Sequence, residues 1–166
     1  MNNCRPISIL NTFSKIFEII IYEHVSNHFK FKFNPRQYGF IKCKSTSTNL
    51  VAYLYFITPL VNPQLQKYFD FSHFIYLVPH AILLRKLNDF GPSPIDVTWF
   101  HSYLTNRISQ VRYRGALSAP YEVLSAVPQG SISGPLLFSV VINDLSSTVK
   151  YSNCLLFADD VKKIDK

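Results

Sequence analysis

Leu155-Leu156-Phe157-Ala158-Asp159-Asp160-Val161-Lys162-Lys163-Ile164 is the stretch on which the reading of this chain turns. An apolar approach and a second alternating segment flank a short polar break. The pattern predicts a hairpin in which residues 151–157 pair with 161–164 across Ala158-Asp159-Asp160. On a regular strand, neighbouring side chains point to opposite faces. In a tight turn, at least one of the two carboxylates projects over the end of the sheet. Taken alone, Asp159-Asp160 is either an exposed acidic turn or part of a divalent-metal site. Mg²⁺ suits the second reading because it prefers one or two carboxylates plus substrate phosphate oxygens.

A two-ion phosphoryl-transfer site needs a further carboxylate from another strand, because its ions lie roughly 3.5–4 Å apart and bridge the attacking and leaving oxygens. Asp70 is the best candidate. It lies near the C-terminal end of a predicted strand over residues 66–71, where a charge beside Tyr68 and Phe69 is costly without a partner. Its competing reading is a helix N-cap for the residues that follow. Asp89 and Asp144 fall near predicted helix ends, where solvent exposure is the ordinary explanation.

Working outward from these carboxylates, the chain alternates helices and short strands. Asn11 or Thr12 can cap a first helix, with Phe13, Ile16, Phe17, Ile20 and His24 on one face. Ser45 or Ser47 can cap a second, with Leu50, Val51 and Leu54 on one side and Pro59 and Pro63 ending it. Pro79 opens a third helix carrying Leu83, Leu84, Leu87 and Phe90, and Gly91-Pro92 stops it. A fourth starts near Pro94 and runs through Trp99, Tyr103 and Leu104. Residues 110–113 and 121–126 read as two strands around Gly115, and a fifth helix follows Gly134-Pro135 with Leu136, Leu137, Val140 and Val141 as its apolar side. Helices mixed with antiparallel strands define an α+β class. The last strand is expected to end at the chain terminus without cover.

Between strand and helix lies Val127-Pro128-Gln129-Gly130-Ser131. It is either an ordinary turn or a nucleotide-facing loop. A glycine lets the backbone approach a ligand closely, a helix N-terminus behind it favours phosphate, and Gln129 can hydrogen-bond a base.

Composition narrows the class. The 166 residues suffice for one domain or a pair of small subdomains, and 48% hydrophobic against 16% charged residues excludes a disordered chain. A net charge of +7 is either a solvated basic surface or the mark of a polyanionic partner. Arg5, Lys42, Lys44, Arg107, Arg112 and Arg114 are spread over the chain, and several adjoin aromatics such as Tyr38 and Tyr113; this is either scattered surface charge or a nucleic-acid surface, on which bases stack while cations hold phosphates. Cys4, Cys43 and Cys154 are odd in number and widely spaced, so a reducing, intracellular compartment (nucleus or cytoplasm) is expected rather than secretion. There is no signal-peptide pattern at the N-terminus, and the apolar runs are too short to span a bilayer. His24 and His28 stand at i and i+4 but lack a third ligand, and are read as structural. There is no nucleophile elbow and no Gly-rich phosphate loop of the GxxxxGK[ST] or GxGxxG type.

Taken in order, Arg5-Pro6-Ile7-Ser8, Gln37-Tyr38-Gly39-Phe40, Asp70-Phe71-Ser72, residues 82–87, Trp99, Ser102-Tyr103-Leu104 and Asn106-Arg107 resemble the reverse transcriptases of non-LTR retrotransposons. The series continues through residues 127–131, Gly134-Pro135-Leu136-Leu137-Phe138, Ile142-Asn143-Asp144-Leu145 and Phe157-Ala158-Asp159-Asp160. Each motif alone is common; their joint order and spacing over nearly the whole chain are specific. The resemblance implies a polymerase palm, an antiparallel sheet backed by helices, with helical fingers inserted. Residues 1–66 would be mainly fingers and 67–166 mainly palm. It implies RNA-directed DNA polymerisation with two Mg²⁺ ions, Mn²⁺ being the alternative, on an RNA template, a DNA primer and deoxynucleoside triphosphates. Asp70, Asp159 and Asp160 match the family's catalytic, metal-binding carboxylates. Arg5, Gln37, Gly39, Phe71, Ile75, Pro128, Gln129 and Gly130 match its nucleotide- and template-binding positions. The resemblance sets no oligomeric state and implies no membrane partner.

The departures carry expectations of their own. Ile75 stands where a bulky aromatic normally screens the sugar 2′ position, which lowers the expected preference for deoxynucleotides. Tyr76 and Pro79 replace acids. Ile41 replaces an arginine after Gly39-Phe40, a charged contact worth roughly 1.5–3 kcal/mol to a triphosphate. The chain starts at the family's first polymerase motif and stops just after the paired aspartates. It is therefore expected to be a truncated, partly decayed copy with the thumb missing. The competing readings are a catalytically dead nucleic-acid binder and a relic without biochemical role.

Overall fold

The computed structural model describes residues 8–59, 66–70, 77–149 and 152–165. Helix α1 (Thr12–Phe29) starts where a short polar side chain can satisfy its first free amides: Asn11 accepts from Ser14 N at 2.7 Å. The stripe expected to face the core does not. Phe13, Ile16, Phe17 and Ile20 are at least half exposed, and Glu18, Val25 and Phe29 are buried instead. Residues 18, 22, 25 and 29 also recur at helical spacing, and packing selects that stripe. Phe29 meets Phe90 and Phe33 edge-on, with ring centroids 5.1 and 6.3 Å apart.

Helix α2 (Thr46–Ile57) opens with a capping box between Ser45 and Thr48. Its expected apolar side is likewise exposed at Leu50, Val51 and Leu54, while Asn49 is buried and accepts from Lys162 Nζ at 3.2 Å. The next two helices follow the sequence closely. Helix α3 (His80–Asp89) begins after Pro79, buries Leu83 and Leu87, and closes at Gly91, whose φ of +59° suits a residue without a Cβ. Helix α4 (Pro94–Leu104) is started by a Ser93–Asp96 capping box and buries Phe100 and Leu104. Helix α5 (Gly134–Ile142) is buried from Leu136 to Ile142 on every side, so the single apolar side expected for it is too narrow. Helix α3 packs against both α4 and α5, and a one-turn helix α6 (Leu145–Thr148), which the sequence pattern does not predict, follows.

The main sheet is antiparallel with strand order β1-β7-β6, where β1 is Gln66–Asp70, β6 is Ser152–Phe157 and β7 is Asp160–Asp165. The last strand is therefore central, flanked by β6 and β1, and the expectation of an uncovered terminal strand fails. In place of the two longer strands expected around Gly115 there are two two-residue ladders. Strand β2 (Ile108–Ser109) pairs with β5 (Tyr121–Glu122), and β3 (Arg112–Tyr113) pairs with β4 (Ala116–Leu117). Arg114 and Gly115 fill the tight β3–β4 turn with φ of +47° and +86°, the positive pair that matches strand twist. Mixed helices and antiparallel sheets give the α+β class. No helix among the described residues is long and apolar enough to cross a membrane.

Candidate active site

Hairpin β6–β7 turns on two residues, Ala158 and Asp159, with Ala158 at a φ of +51°. The pairing puts Phe157 opposite Asp160 on one side and Asp70 opposite Asp160 on the other. Residues directly opposite across an antiparallel pair place their Cβ atoms roughly 4.5–5.5 Å apart on one face. Asp70 and Asp160 therefore share one end of the sheet, and Asp159 occupies the turn beside them. Asp70 and Asp160 are exposed and Asp159 is half-buried.

The donor set is hard oxygen at a solvent-facing sheet end, which fits Mg²⁺ with substrate oxygens completing its shell. Among the described residues, no three His, Cys, Asp or Glu side chains come close enough together to hold an ion. The strand register brings two of the carboxylates, Asp70 and Asp160, opposite each other.

A second segment buttresses the turn. Tyr38 N donates to Leu156 O at 2.8 Å and Leu156 N to Arg36 O at 3.0 Å, so residues 36–38 run alongside β6. Gly39 then lies against the turn. A Cβ there would fall on the Ala158 nitrogen, 2.7 Å from the Ala158 Cα and 3.0 Å from the Phe157 carbonyl carbon. Gln37, expected to face template or triphosphate, is completely buried. Its Nε2 donates to Gly39 O at 3.3 Å, while Oε1 is buried without a partner. Its surroundings make it a spacer under the turn, not a surface contact. Beyond Gly39 the chain opens a groove of about 840 Å³, whose walls include Phe31, Phe40, Lys30 and Lys42.

The Pro128-Gln129-Gly130 loop is held from behind. Gly130 has a φ of +92°, Ser131 N donates to Pro128 O, and Ser8 N donates to Gln129 O at 2.9 Å. The main anchor is Glu18. This carboxylate is wholly buried; Oε2 accepts from Ile132 N at 2.6 Å and Ser133 N at 3.3 Å, and Oε1 accepts from the Tyr103 hydroxyl at 2.8 Å. Burial, reinforced by the bond to Glu18, pushes the Tyr103 phenol well above the usual tyrosine range. Sequence reasoning misses Glu18 and names Tyr103 only for its helix and its motif, not for this contact. The available signal is one acid, Glu18, inside an otherwise apolar stretch of helix (Ile16-Phe17-Glu18-Ile19-Ile20).

His24 lies 3.5 Å from buried Asp96 in α4, and His28 Nε2 is 2.6 Å from Gly91 O just beyond α3. Asp144 pairs with Lys86 at 2.6 Å and is largely exposed. Arg5, Phe71 and Ile75 lie outside the described residues, as do Pro63, His73 and Tyr76.

The model of the family "Reverse transcriptase (RNA-dependent DNA polymerase)" matches residues 1–162. In Drosophila melanogaster, the protein named "Probable RNA-directed DNA polymerase from transposon BS" is 30% identical over 146 residues, covering 85% of this chain and 16% of that protein. The one named "Probable RNA-directed DNA polymerase from transposon X-element" is 30% identical over 166 residues, covering 95% of this chain and 18% of its own length. The chain thus spans less than a fifth of the curated relatives it matches. With that match running through the sheet end that carries Asp70, Asp159 and Asp160, the chain belongs to the reverse transcriptase family, on the non-LTR retrotransposon branch its motifs resemble.

Proposed function

We propose that this chain is a nucleotidyl-transfer unit, residues 67–166 forming mainly a polymerase palm and residues 1–66 mainly helical fingers. The reaction is RNA-directed DNA synthesis. A primer 3′-hydroxyl attacks the α-phosphorus of a deoxynucleoside triphosphate paired to an RNA template, the new phosphodiester forms, and pyrophosphate leaves. The observation that carries this reading is the strand register that sets Asp70 opposite Asp160 beside the Asp159 turn. Two carboxylates face to face on a sheet end destabilise the pair unless a cation or other partner offsets them.

Asp70 and Asp159 would hold two Mg²⁺ ions, with Asp160 shaping the site. When bound, such ions neutralise charge on the attacking and leaving oxygens of a phosphoryl transfer. The chain's own contribution is placement. Gly39 and the Arg36–Leu156 and Tyr38–Leu156 bonds fix the turn that carries Asp159. Glu18 fixes the amides behind the Pro128-Gln129-Gly130 loop, which would lie near template and incoming nucleotide. The aromatic and lysine side chains of the groove next to Phe40 suit stacked bases and their phosphates.

The test is Mg²⁺-dependent extension of a DNA primer on an RNA template. Extension by the wild-type chain should fall to background in Asp159→Ala. Extension that does not rise above that variant overturns the reading. A second readout needs no turnover. Mg²⁺ should raise the thermal midpoint of the wild type, and Asp160→Asn should blunt that response.

A further inference from the structure

Residues 107–123 form a two-tier β-ribbon that rises from an anchored base. At the base, Val123 N donates to Arg107 O at 2.8 Å, and Ala126 N donates to Val78 O at 3.1 Å. Ladder β2–β5 is the lower tier and β3–β4 the upper. Between them Ser118 N donates to Val111 O and Val111 N donates to the Ser118 hydroxyl, both at 2.9 Å. Every residue from 110 to 122 is exposed. The tip carries Arg112-Tyr113-Arg114, and no acid occurs between Arg107 and Tyr121. Neither Arg112 nor Arg114 has an ion-pair partner among the described residues. The Arg114 guanidinium lies over the Tyr113 ring, 5.4 Å from its centroid, yet Tyr113 remains 67% exposed. The residue opposite Tyr113 is Ala116, too small to cover the ring, and Leu117 lies on the other face. The exposed apolar side chains of the tip therefore do not join into one patch for a protein partner.

We propose that this hairpin is a nucleic-acid arm, in which Tyr113 stacks on one base of a single strand while Arg112 and Arg114 each hold a phosphate. An unpaired base offers a π-face to the tyrosine ring, and a guanidinium already on that ring adds to the stack. Arginine forks match phosphate oxygens with charge-assisted bonds. A ribbon is one layer thick, so a strand crossing its end meets the Arg112 face and the Tyr113 face together. The Arg114-Gly115 turn, with both φ positive, fixes the tip, so little order is lost on binding. The strand comes from one of two sources, RNA or DNA, which share phosphates and stackable bases. The proposal rests on the polymerase reading only for which strand the arm holds.

The experiment measures binding of labelled single-stranded RNA, and of DNA of the same sequence, to the full chain over a series of salt concentrations. Each phosphate contact to a single strand contributes about 0.7 to the slope of log K against log salt. The double variant Arg112→Gln/Arg114→Gln should therefore lower that slope by about 1.4, whereas Arg112→Lys/Arg114→Lys keeps both charges and should keep the slope. Tyr113→Ala should weaken binding about tenfold with the slope unchanged, and Tyr113→Phe, which keeps the ring, should bind like the wild type. All four variants change exposed residues and should melt with the wild type, so a folding defect cannot imitate the pattern. Losses confined to RNA or to DNA assign the strand; equal losses mean that the arm takes either. A wild-type slope in the double glutamine variant, wild-type affinity in Tyr113→Ala, or a wild type that binds neither strand overturns the proposal. Primer extension and its loss in Asp159→Ala do not enter these readouts, so the polymerase reading stands or falls separately.

Discussion

Gly39→Ala should destabilise the chain by about 3 kcal/mol, the upper part of the range for forcing an extra methyl into a packed site. For a chain of this size that lowers the thermal midpoint by roughly 6–12 °C. The reason is what the methyl would meet. Its neighbours are the Ala158 nitrogen, the Ala158 Cα and the Phe157 carbonyl carbon, all backbone atoms, so no side chain can rotate out of the way. Relief requires that residues 36–39 peel from β6 or that the Asp159 turn shift. Either movement weakens the Tyr38–Leu156 and Arg36–Leu156 bonds, so the amides of Tyr38 and Leu156 should exchange with solvent faster. Gly115→Ala is the matched control. Its φ of +86° also disfavours alanine, but nothing lies within 4 Å of the added methyl, and the expected cost is about 1 kcal/mol of backbone strain. Equal midpoints for Gly39→Ala and the wild type in thermal and urea melts would show that this close approach does not hold the turn.

That approach explains why part of the site is legible in the sequence and part is not. Local chemistry reads well. Asn11 and Ser45 start their helices through side-chain oxygens a few residues from the amides they satisfy, and Gly91 ends one through its own φ. The hairpin around Ala158-Asp159 is equally local. The burial of α1 and α2 is not, because two stripes compete on each helix and the choice rests on distant partners. Phe29 is chosen by Phe90 and Glu18 by Tyr103, while Phe13, Ile16 and Leu50 are left in solvent. The two-residue ladders β2–β5 and β3–β4 carry too few residues for any alternation to show. Asp70 can be nominated from its charge at a strand end, but its register against Asp160 joins residues ninety positions apart and follows from β7 being central. Gln37 reads as a polar surface contact because its motif invites that reading, and only the packing of residues 36–39 under the turn buries it.

Glu18→Ala should cost about 3–5 kcal/mol, the range seen when one member of a buried charged network is deleted. Three donors lose their acceptor together: the Tyr103 hydroxyl and the amides of Ile132 and Ser133. Each donor left buried and unpaired costs roughly 1–3 kcal/mol, although water entering the gap offsets part of the sum. Glu18→Gln preserves volume and one acceptor oxygen but turns an N–H toward a donor, and should cost about 1–3 kcal/mol. Tyr103→Phe removes a single bond and leaves the carboxylate two amide donors, so it should cost the least, about 1.5 kcal/mol. The ordering matters more than the individual values, because a carboxylate that merely fills space would make Glu18→Gln silent and Tyr103→Phe independent of it. A double-mutant cycle between Glu18→Gln and Tyr103→Phe should give a coupling of about 0.5–3 kcal/mol. The pH dependence supplies an independent sign. The folded state holds the Tyr103 proton more tightly than the unfolded chain, whose tyrosines titrate near 10. The folded state therefore binds more protons above that pH, and stability must fall as the pH rises through about 10 and beyond. Tyr103→Phe lacks this group, so its deficit relative to the wild type should shrink in alkaline melts. A deficit that stays constant from about pH 8 to about pH 11, a window that brackets the ordinary tyrosine value, would mean that the phenol is not held by the Glu18 carboxylate. The Pro128-Gln129-Gly130 loop would then take its position from something other than this buried acid.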